Sequence, residues 1–165
     1  MDHSDVISVL ASSCGVNKYL ELGVYVGETL NKVSRFVPKC IGVDVVKHTL
    51  VNPNLDVRIQ TTKDFFSTNT ETFDMIFIDA DHSFESAKQD FLMSVDHLSK
   101  DGIILLHDTN PSSASLLPSG YCGDSYKMID WLRETGIYNS VTIPVTDPGL
   151  TIVTQLSCER FRNFV

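Results

Sequence analysis

Two almost continuously apolar runs, FDMIFID at residues 73–79 and IILL at residues 103–106, are separated by a single stretch of helical periodicity. That arrangement leaves few folds open. A strand buried on both faces reads as an unbroken apolar run. Two such strands joined by a long helix pair in parallel through a right-handed crossover. In residues 84–98, FESAKQDFLMSVDHL, the side chains of Phe84, Ala87, Phe91, Val95 and Leu98 form one stripe at helical spacing. Ser83 is placed to cap this helix, with Ser86 instead of an acid at the capping-box position. Asp101-Gly102 should turn the chain into the second run, which ends at His107-Asp108.

The alternation of apolar runs with amphipathic stretches extends in both directions. Residues 2–14 read as a short helix with Val6, Ile7, Val9 and Leu10 on its apolar side and Gly15 as its stop. KYLEL, residues 18–22, is a brief strand ending at Gly23. Residues 27–36 predict a helix whose Leu30, Val33 and Phe36 face the sheet. Cys40 to Val43 is a second buried strand ending at Asp44, and Val57 to Gln60 a third. Residues 45–56 leave room for only a short helix or turn, because Pro53 discourages a longer one. The return segment around residues 62–71 is also short. Residues 110–123, NPSSASLLPSGYCG, form the longest irregular stretch and a candidate active-site loop. A helix over 124–135 should end at Gly136, and the runs 141–145 and 150–154 flank TDPG, which predicts an antiparallel hairpin at the sheet edge. The whole, residues 1–165, reads as one compact Rossmann-like α/β domain with a small-molecule site above the C-terminal strand ends.

The charge balance narrows the partners. Thirteen Lys and Arg against 21 Asp and Glu give a net charge of −8, a field that repels a nucleic-acid backbone or an acidic membrane surface. No apolar run approaches a bilayer span, and the opening MDHSDVISVL lacks the basic head of a secretory signal, so a cytoplasmic location is expected. The four cysteines, Cys14, Cys40, Cys122 and Cys158, form no CxxC pair or zinc-like spacing and read as reduced and mostly structural.

Three groups of residues can carry chemistry. The first is ELGVYVG, Glu21 to Gly27, at a strand-to-helix turn. There Gly23 permits a tight turn and Gly27 a close backbone approach, and free amides at the helix start could bind polar cofactor atoms. It is neither GxGxxG nor a GxxxxGK[ST] loop: Tyr25 stands where a dinucleotide fingerprint has glycine. Glu21 would sit awkwardly beside a pyrophosphate but could accept hydrogen bonds from an amine. The second is Asp44, an acid at a strand end suited to both hydroxyls of a ribose, with capping as the alternative. Asp64 could approach an adenine amino group or stand solvated. Tyr25 and Phe65-Phe66 could flank a cofactor or pack the core. The third is Asp79, Asp81, His82, His107 and Asp108 at two strand ends, carboxylates and imidazoles suited to a divalent ion or to proton transfer.

ELGVYVG with Asp44, then FDMIFIDADHSF and IILLHDT in that order, resembles the class I S-adenosylmethionine-dependent methyltransferase family, in a branch similar to small-molecule O-methyltransferases. The resemblance spans about residues 17–154 and implies a seven-stranded sheet ordered 3-2-1-4-5-7-6 with the last strand antiparallel. It implies S-adenosyl-L-methionine as cofactor, with Gly23, Gly27 and Glu21 on its methionine side, Asp44 on the ribose, Asp64 toward the adenine and Asp79 beside cofactor and substrate. In metal-dependent members, acids matching Asp79 and Asp108 bind Mg2+ or another divalent cation, often with Asn or Asp following the second; Thr109 stands there in this chain, and Asn110 one place later. His82 is the candidate base that takes the proton from a small-molecule hydroxyl, with Asp79 beside it, and a capping role is its alternative. His107 could support the Asp108 loop. A sugar or polyhydroxylated metabolite is the acceptor class the family suggests.

Other residues read as structural: Trp131 as helix packing, and His3, His48 and His97 as surface or structural side chains. Tyr121 and Tyr126 could line a substrate entrance. Two further readings stand beside the methyltransferase: an NAD-dependent oxidoreductase, against which the ELGVYVG loop argues, and a catalytically silent binding or assembly domain. Short crossovers leave little to enclose a substrate, and a homo-oligomer could supply that cover.

Overall fold

The computed structural model describes residues 2–47, 52, 54–144 and 148–155; His48, Pro53 and Cys158 lie outside the described residues. In chain order the elements are α1 (His3–Ser13), β1 (Lys18–Leu22), α2 (Glu28–Val33), β2 (Lys39–Asp44), β3 (Asp56–Ile59), α3 (Thr62–Thr68), β4 (Phe73–Ile78), α4 (Phe84–Asp96), β5 (Leu98–His107), α5 (Met128–Thr135), β6 (Tyr138–Ile143) and β7 (Leu150–Gln155). The sheet runs β3-β2-β1-β4-β5-β7-β6, with β7 antiparallel to both neighbours and the other pairs parallel. This is the order the resemblance implied. The chain winds outward from β1 to β3 and then returns to β4, so the strand order reverses between β1 and β4. In open α/β sheets the ligand crevice lies outside the C-terminal strand ends at such a reversal.

Strand parity divides the core into two layers. Leu20 and Leu22 of β1, Ile76 and Ile78 of β4, and Ile104 and Leu106 of β5 point toward α3, α4 and α5, where Phe65, Phe91 and Leu132 meet them. Tyr19, Met75, Phe77, Ile103 and Leu105 point the other way, against Ile7 and Ala11 of α1 and Leu30 and Val33 of α2. Phe91 is fully buried, with Trp131 and Tyr138 edge-on at 5.7 and 5.1 Å between ring centroids. Trp131 therefore packs a helix, as expected. Among the described residues no helix is long and apolar enough to cross a membrane.

Several boundaries differ from expectation for identifiable reasons. Helix α1 starts with a reciprocal capping box between Asp2 and Asp5 and buries Ser4, Ile7, Ser8 and Ala11, with Val6 and Leu10 partly buried beside them. Val9 is left 57% exposed. The small serines let the helix lie close, and the Ser8 hydroxyl donates to the Ser4 carbonyl at 2.7 Å. Helix α2 stops at Val33, and Phe36, expected on the sheet, is 55% exposed in the following turn. Pro38 disfavours helical backbone at Val37 and so bars a longer helix.

Asp101-Gly102 does not reverse the chain. Instead β5 runs through it with an irregularity, pairing Leu98 with Phe73 and then Ile103 with Met75. A Cβ on Gly102 would lie 2.7 Å from the Leu98 side chain and 3.1 Å from the Phe73 carbonyl oxygen, so a larger residue there would require Leu98 to shift. Asp74 ties it down, accepting from the amides of Asn17 and Lys18 and the hydroxyl of Ser99 at 2.9–3.1 Å. Leu98 consequently belongs to β5, and α4 ends at Asp96. Ser83 caps α4 on the Ser86 amide, and the expected 124–135 helix begins as a 3-10 turn over Ser125–Lys127 before α5. The final pair forms the expected antiparallel hairpin, with β6 beginning earlier, at Tyr138.

Candidate active site

At the end of β1 the chain passes directly against the end of β4. A Cβ on Gly23 would lie 2.1 Å from the Asp79 carbonyl oxygen, and Gly23 has φ +85°. Both facts demand glycine. Tyr25 follows with φ 48°, a left-handed backbone held by Asp44 from the end of β2. Asp44 Oδ2 accepts from the amides of Val24 and Tyr25 at 2.9 Å each, and Oδ1 accepts from the Val46 amide at 2.8 Å. Asp44 therefore locks the loop, with three of roughly four acceptor positions of a carboxylate used. Around it Tyr25, Val26, Val45 and Val46 are exposed, an apolar rim beside the crevice.

Glu21 shares the Tyr19 face of β1 and is buried beneath α2. The Tyr19 hydroxyl donates to it at 2.6 Å, and the Leu30 amide donates as well. Burial pushes its carboxyl up to about 8; the Tyr19 hydrogen bond opposes the rise and the Asp79 charge adds to it. Glu21 thus ties β1 to α2 across the loop. Asp64, in the first turn of α3, is exposed and accepts from the Thr61 hydroxyl at 2.7 Å, a contact within its own helix start. Phe65 and Phe66 are core residues.

The strongest convergence lies at the ends of β4 and β5. His107 Nδ1 is 3.1 Å from Asp79 and 3.3 Å from Asp108. His82 Nε2 is 3.4 Å from Asp108 and 3.8 Å from Asp79. Each imidazole therefore faces both carboxylates. Asp108 is buried with φ 59°, a strained backbone of the kind that persists where the surroundings over-determine it. Burial raises its pKa, and the neighbouring imidazoles oppose that rise. Burial opposes protonation of His107, but the carboxylates of Asp79 and Asp108 outweigh it and its pKa is raised. Asp79, His82 and Asp108 each offer one ligand atom, all within 4.8 Å of one another, a spacing suited to a divalent ion. Thr109, at the position where metal-dependent members often carry Asn or Asp, is buried and accepts a hydrogen bond from Thr151 at 2.8 Å. Asn110 is exposed and its amide donates to the Pro148 carbonyl.

Gly23, Asp79, His82 and Asp108 are thus brought to one place, with Tyr25 on the adjoining loop and Asp44 holding that loop from the end of β2. Sequence reasoning missed three contributors. His3, read as a surface or structural residue, packs on His107 with ring centroids 4.2 Å apart. Burial lowers the pKa of His3, as does the His107 charge. Cys122 hydrogen-bonds Asp108, and Asp124 contacts the His82 turn. No local pattern marks any of the three, because each acts across a long separation in sequence.

A methyltransferase-domain family model matches residues 20–109. No curated protein matches the sequence. Among solved structures, a candidate caffeoyl-CoA O-methyltransferase from Staphylococcus aureus has a TM-score of 0.73 at 17% identity, covering 92% of this chain and 82% of that one. A Podospora anserina methyltransferase bound to S-adenosylhomocysteine (SAH) gives 0.72 at 17% identity, covering 92% and 77%. An O-methyltransferase from Bacillus cereus in complex with SAH gives 0.69 at 13%, covering 92% and 80%. At these identities the likeness is one of fold.

Proposed function

The chain belongs to the methyltransferase-domain family of class I S-adenosylmethionine-dependent enzymes, and on that premise we propose that it methylates a hydroxyl oxygen of a small molecule, with His82 as the base. One observation carries the reading. His82 Nε2 stands within 3.4 Å of Asp108 at the mouth of the crevice, while Asp79, the other carboxylate it faces, has its own carbonyl against Gly23 of the cofactor loop. Proton removal and methyl supply would then meet at adjoining strand ends.

S-adenosylmethionine, when bound, supplies an electrophilic methyl group on a sulfonium. The chain would take it at the Gly23 turn, where the end of β1 passes against Asp79 of β4, and along the exposed rim of Tyr25, Val26, Val45 and Val46. Gly23 and Gly27 let the backbone approach the methionine portion, Asp44 takes a ribose hydroxyl, and Asp64 lies toward the adenine side. Glu21, bonded to Tyr19 and the Leu30 amide, holds α2 against β1 beneath the loop. His82 accepts the acceptor's proton at Nε2, and Asp79 and Asp108 stabilise the imidazolium that results.

The same two carboxylates would hold a Mg2+ or other divalent ion, which would lower the pKa of the bound hydroxyl. Their donor chemistry and spacing fit it, and the Thr109 hydroxyl beside them is occupied in part by the bond it accepts from Thr151. An acceptor rich in hydroxyls, such as a sugar or other polyol, suits the polar, carboxylate-lined cleft.

Calorimetric titration with SAH, with and without Mg2+, tests the cofactor reading, and NAD as competitor tests the oxidoreductase alternative. One-site SAH binding that NAD does not displace is the expected result; folded protein that binds no SAH would overturn the reading. His82→Ala should lower turnover of an acceptor found by screening about 100-fold or more with SAH affinity unchanged. Equal turnover would remove His82 as base.

A further inference from the structure

The far end of the 110–123 loop grips the turn that carries His82. The amides of Asp124 and Ser125 donate to the His82 carbonyl at 2.9 and 3.2 Å. Asp124 Oδ1 accepts from the Phe84 amide at 2.6 Å, so one residue holds the chain on both sides of Ser83. Gly123 makes the close approach possible: with φ +54°, a Cβ there would lie 2.1 Å from the His82 carbonyl oxygen. Cys122, buried, hydrogen-bonds the Asp108 carboxylate from the same segment.

The loop is braced within itself as well. The Cys122 amide donates to the Leu116 carbonyl at 2.9 Å and the Tyr121 amide to the Pro118 carbonyl at 2.8 Å, while at its other end the Asn110 amide donates to Pro148 at 2.8 Å. Between loop and turn runs a groove lined by Asp81, His82, Ser83, Leu117, Ser119 and Gly123.

We propose that Asp124 is the positioning residue for His82, and that through it the 117–124 segment serves as the fixed acceptor-side wall of the site; this rests on His82 being the base. Helix α4 already has its own cap, since Ser83 accepts from the Ser86 amide at 3.3 Å. The Asp124 bond to Phe84 therefore does more than start a helix: it fixes the turn against the loop. The reach of an imidazole is set by its Cα position, and misplacement of a catalytic group by about 1 Å can cost on the order of 100-fold in rate.

The test uses the full chain saturated with SAH for binding and NMR, and S-adenosylmethionine with a screened acceptor for turnover. In Asp124→Ala the ring resonances of His82, assigned by their loss in His82→Ala, should broaden or split. Turnover should fall about 10- to 100-fold with the KM for S-adenosylmethionine unchanged. Asp124→Asn keeps the acceptor atom and should restore both. Ser83→Ala removes the helix cap but not the clamp; it should lower stability and leave the His82 resonances in place. Should Asp124→Ala not fold, Asp124→Glu displaces the carboxylate by one methylene and should shift the same resonances. Unchanged His82 resonances with full turnover in Asp124→Ala, or in Asp124→Glu where the alanine variant does not fold, would overturn the proposal, as would Asp124→Asn being as impaired as Asp124→Ala. Full turnover in His82→Ala would instead remove the base reading, and lack of SAH binding the cofactor reading.

Discussion

Gly23→Ala offers a sharp test of how the cofactor loop is built, because Gly15→Ala provides a control of matched backbone. Both glycines have positive φ, +85° and +62°, but a Cβ on Gly15 meets nothing within 4 Å whereas one on Gly23 lies 2.1 Å from the Asp79 carbonyl oxygen. An L-residue in left-handed backbone costs about 1–2 kcal/mol, and both variants bear that cost. Forcing a methyl into filled space adds about 1–3 kcal/mol, and only Gly23→Ala bears that. Gly15→Ala should therefore lose about 1–2 kcal/mol, and Gly23→Ala about 2–5 kcal/mol, in urea unfolding followed by circular dichroism.

The second readout is functional. The obstructing atoms belong to the backbone of Asp79 and Ala80, so the clash cannot be relieved by turning a side chain. The strand end or the loop must move, and with it the surface offered to the cofactor. A loss of about 1.4 kcal/mol in binding is tenfold in affinity, so SAH affinity in Gly23→Ala should fall at least about tenfold while Gly15→Ala stays within about twofold. If the two variants unfold alike and bind SAH alike, the close approach of β1 and β4 is not what demands glycine here.

Three further outcomes follow from the core and the loop. Glu21 carries a carboxyl raised by burial from 4.5 to about 8, so the folded chain keeps its proton where the unfolded chain has released it; its stability contribution is fully present below about pH 4.5 and is lost as pH rises toward 8. Glu21→Gln should remove that loss and gain roughly 4 kcal/mol relative to the parent between pH 5 and pH 8, and parallel stability–pH curves would refute it. Phe91→Ala empties the meeting point of α4, Trp131 and Tyr138 and should cost about 3–5 kcal/mol in urea unfolding with the SAH site intact. Asp44→Ala releases the Val24, Tyr25 and Val46 amides together and should weaken SAH binding about 10-fold or more in calorimetry, whereas Asp64→Ala, whose contact is to Thr61, should cost less than about threefold.

The sheet is legible in the sequence because its signals are local. A strand buried on both faces announces itself as an apolar run, and FDMIFID and IILL fall where β4 and the end of β5 lie. Strand order follows from the resemblance rather than from any period in the sequence. Boundaries depart from expectation where a residue pair carries two meanings: Asp101-Gly102 is a turn signal, yet in β5 the glycine serves an irregular strand whose neighbour Leu98 would collide with a side chain. Phe36 departs because its hydrophobicity suggests a helix that Pro38 already ends, a conflict visible in the sequence once the residue before proline is weighed.

Parity decides what is readable in the site. Glu21 reads as an amine acceptor at a strand end, but strand alternation already places it with Tyr19, on the face opposite Leu20 and Leu22. That this second face is covered, so that the carboxyl is buried, paired and raised, comes from α1 and α2 packing over it. Alternation along KYLEL gives the face and no more. It implies nothing about His3 or Asp124. His3 reaches His107 from the first helical residue of the chain, and Asp124 reaches His82 across a loop whose path is set by its own internal hydrogen bonds. A motif reports what neighbours in sequence must be; it is silent about which distant residue holds the motif still. The chemistry at the strand ends is therefore readable from DADH and HDT, while its geometry depends on the 122–125 segment lying against the His82 carbonyl, a contact between residues some forty positions apart that no local pattern encodes.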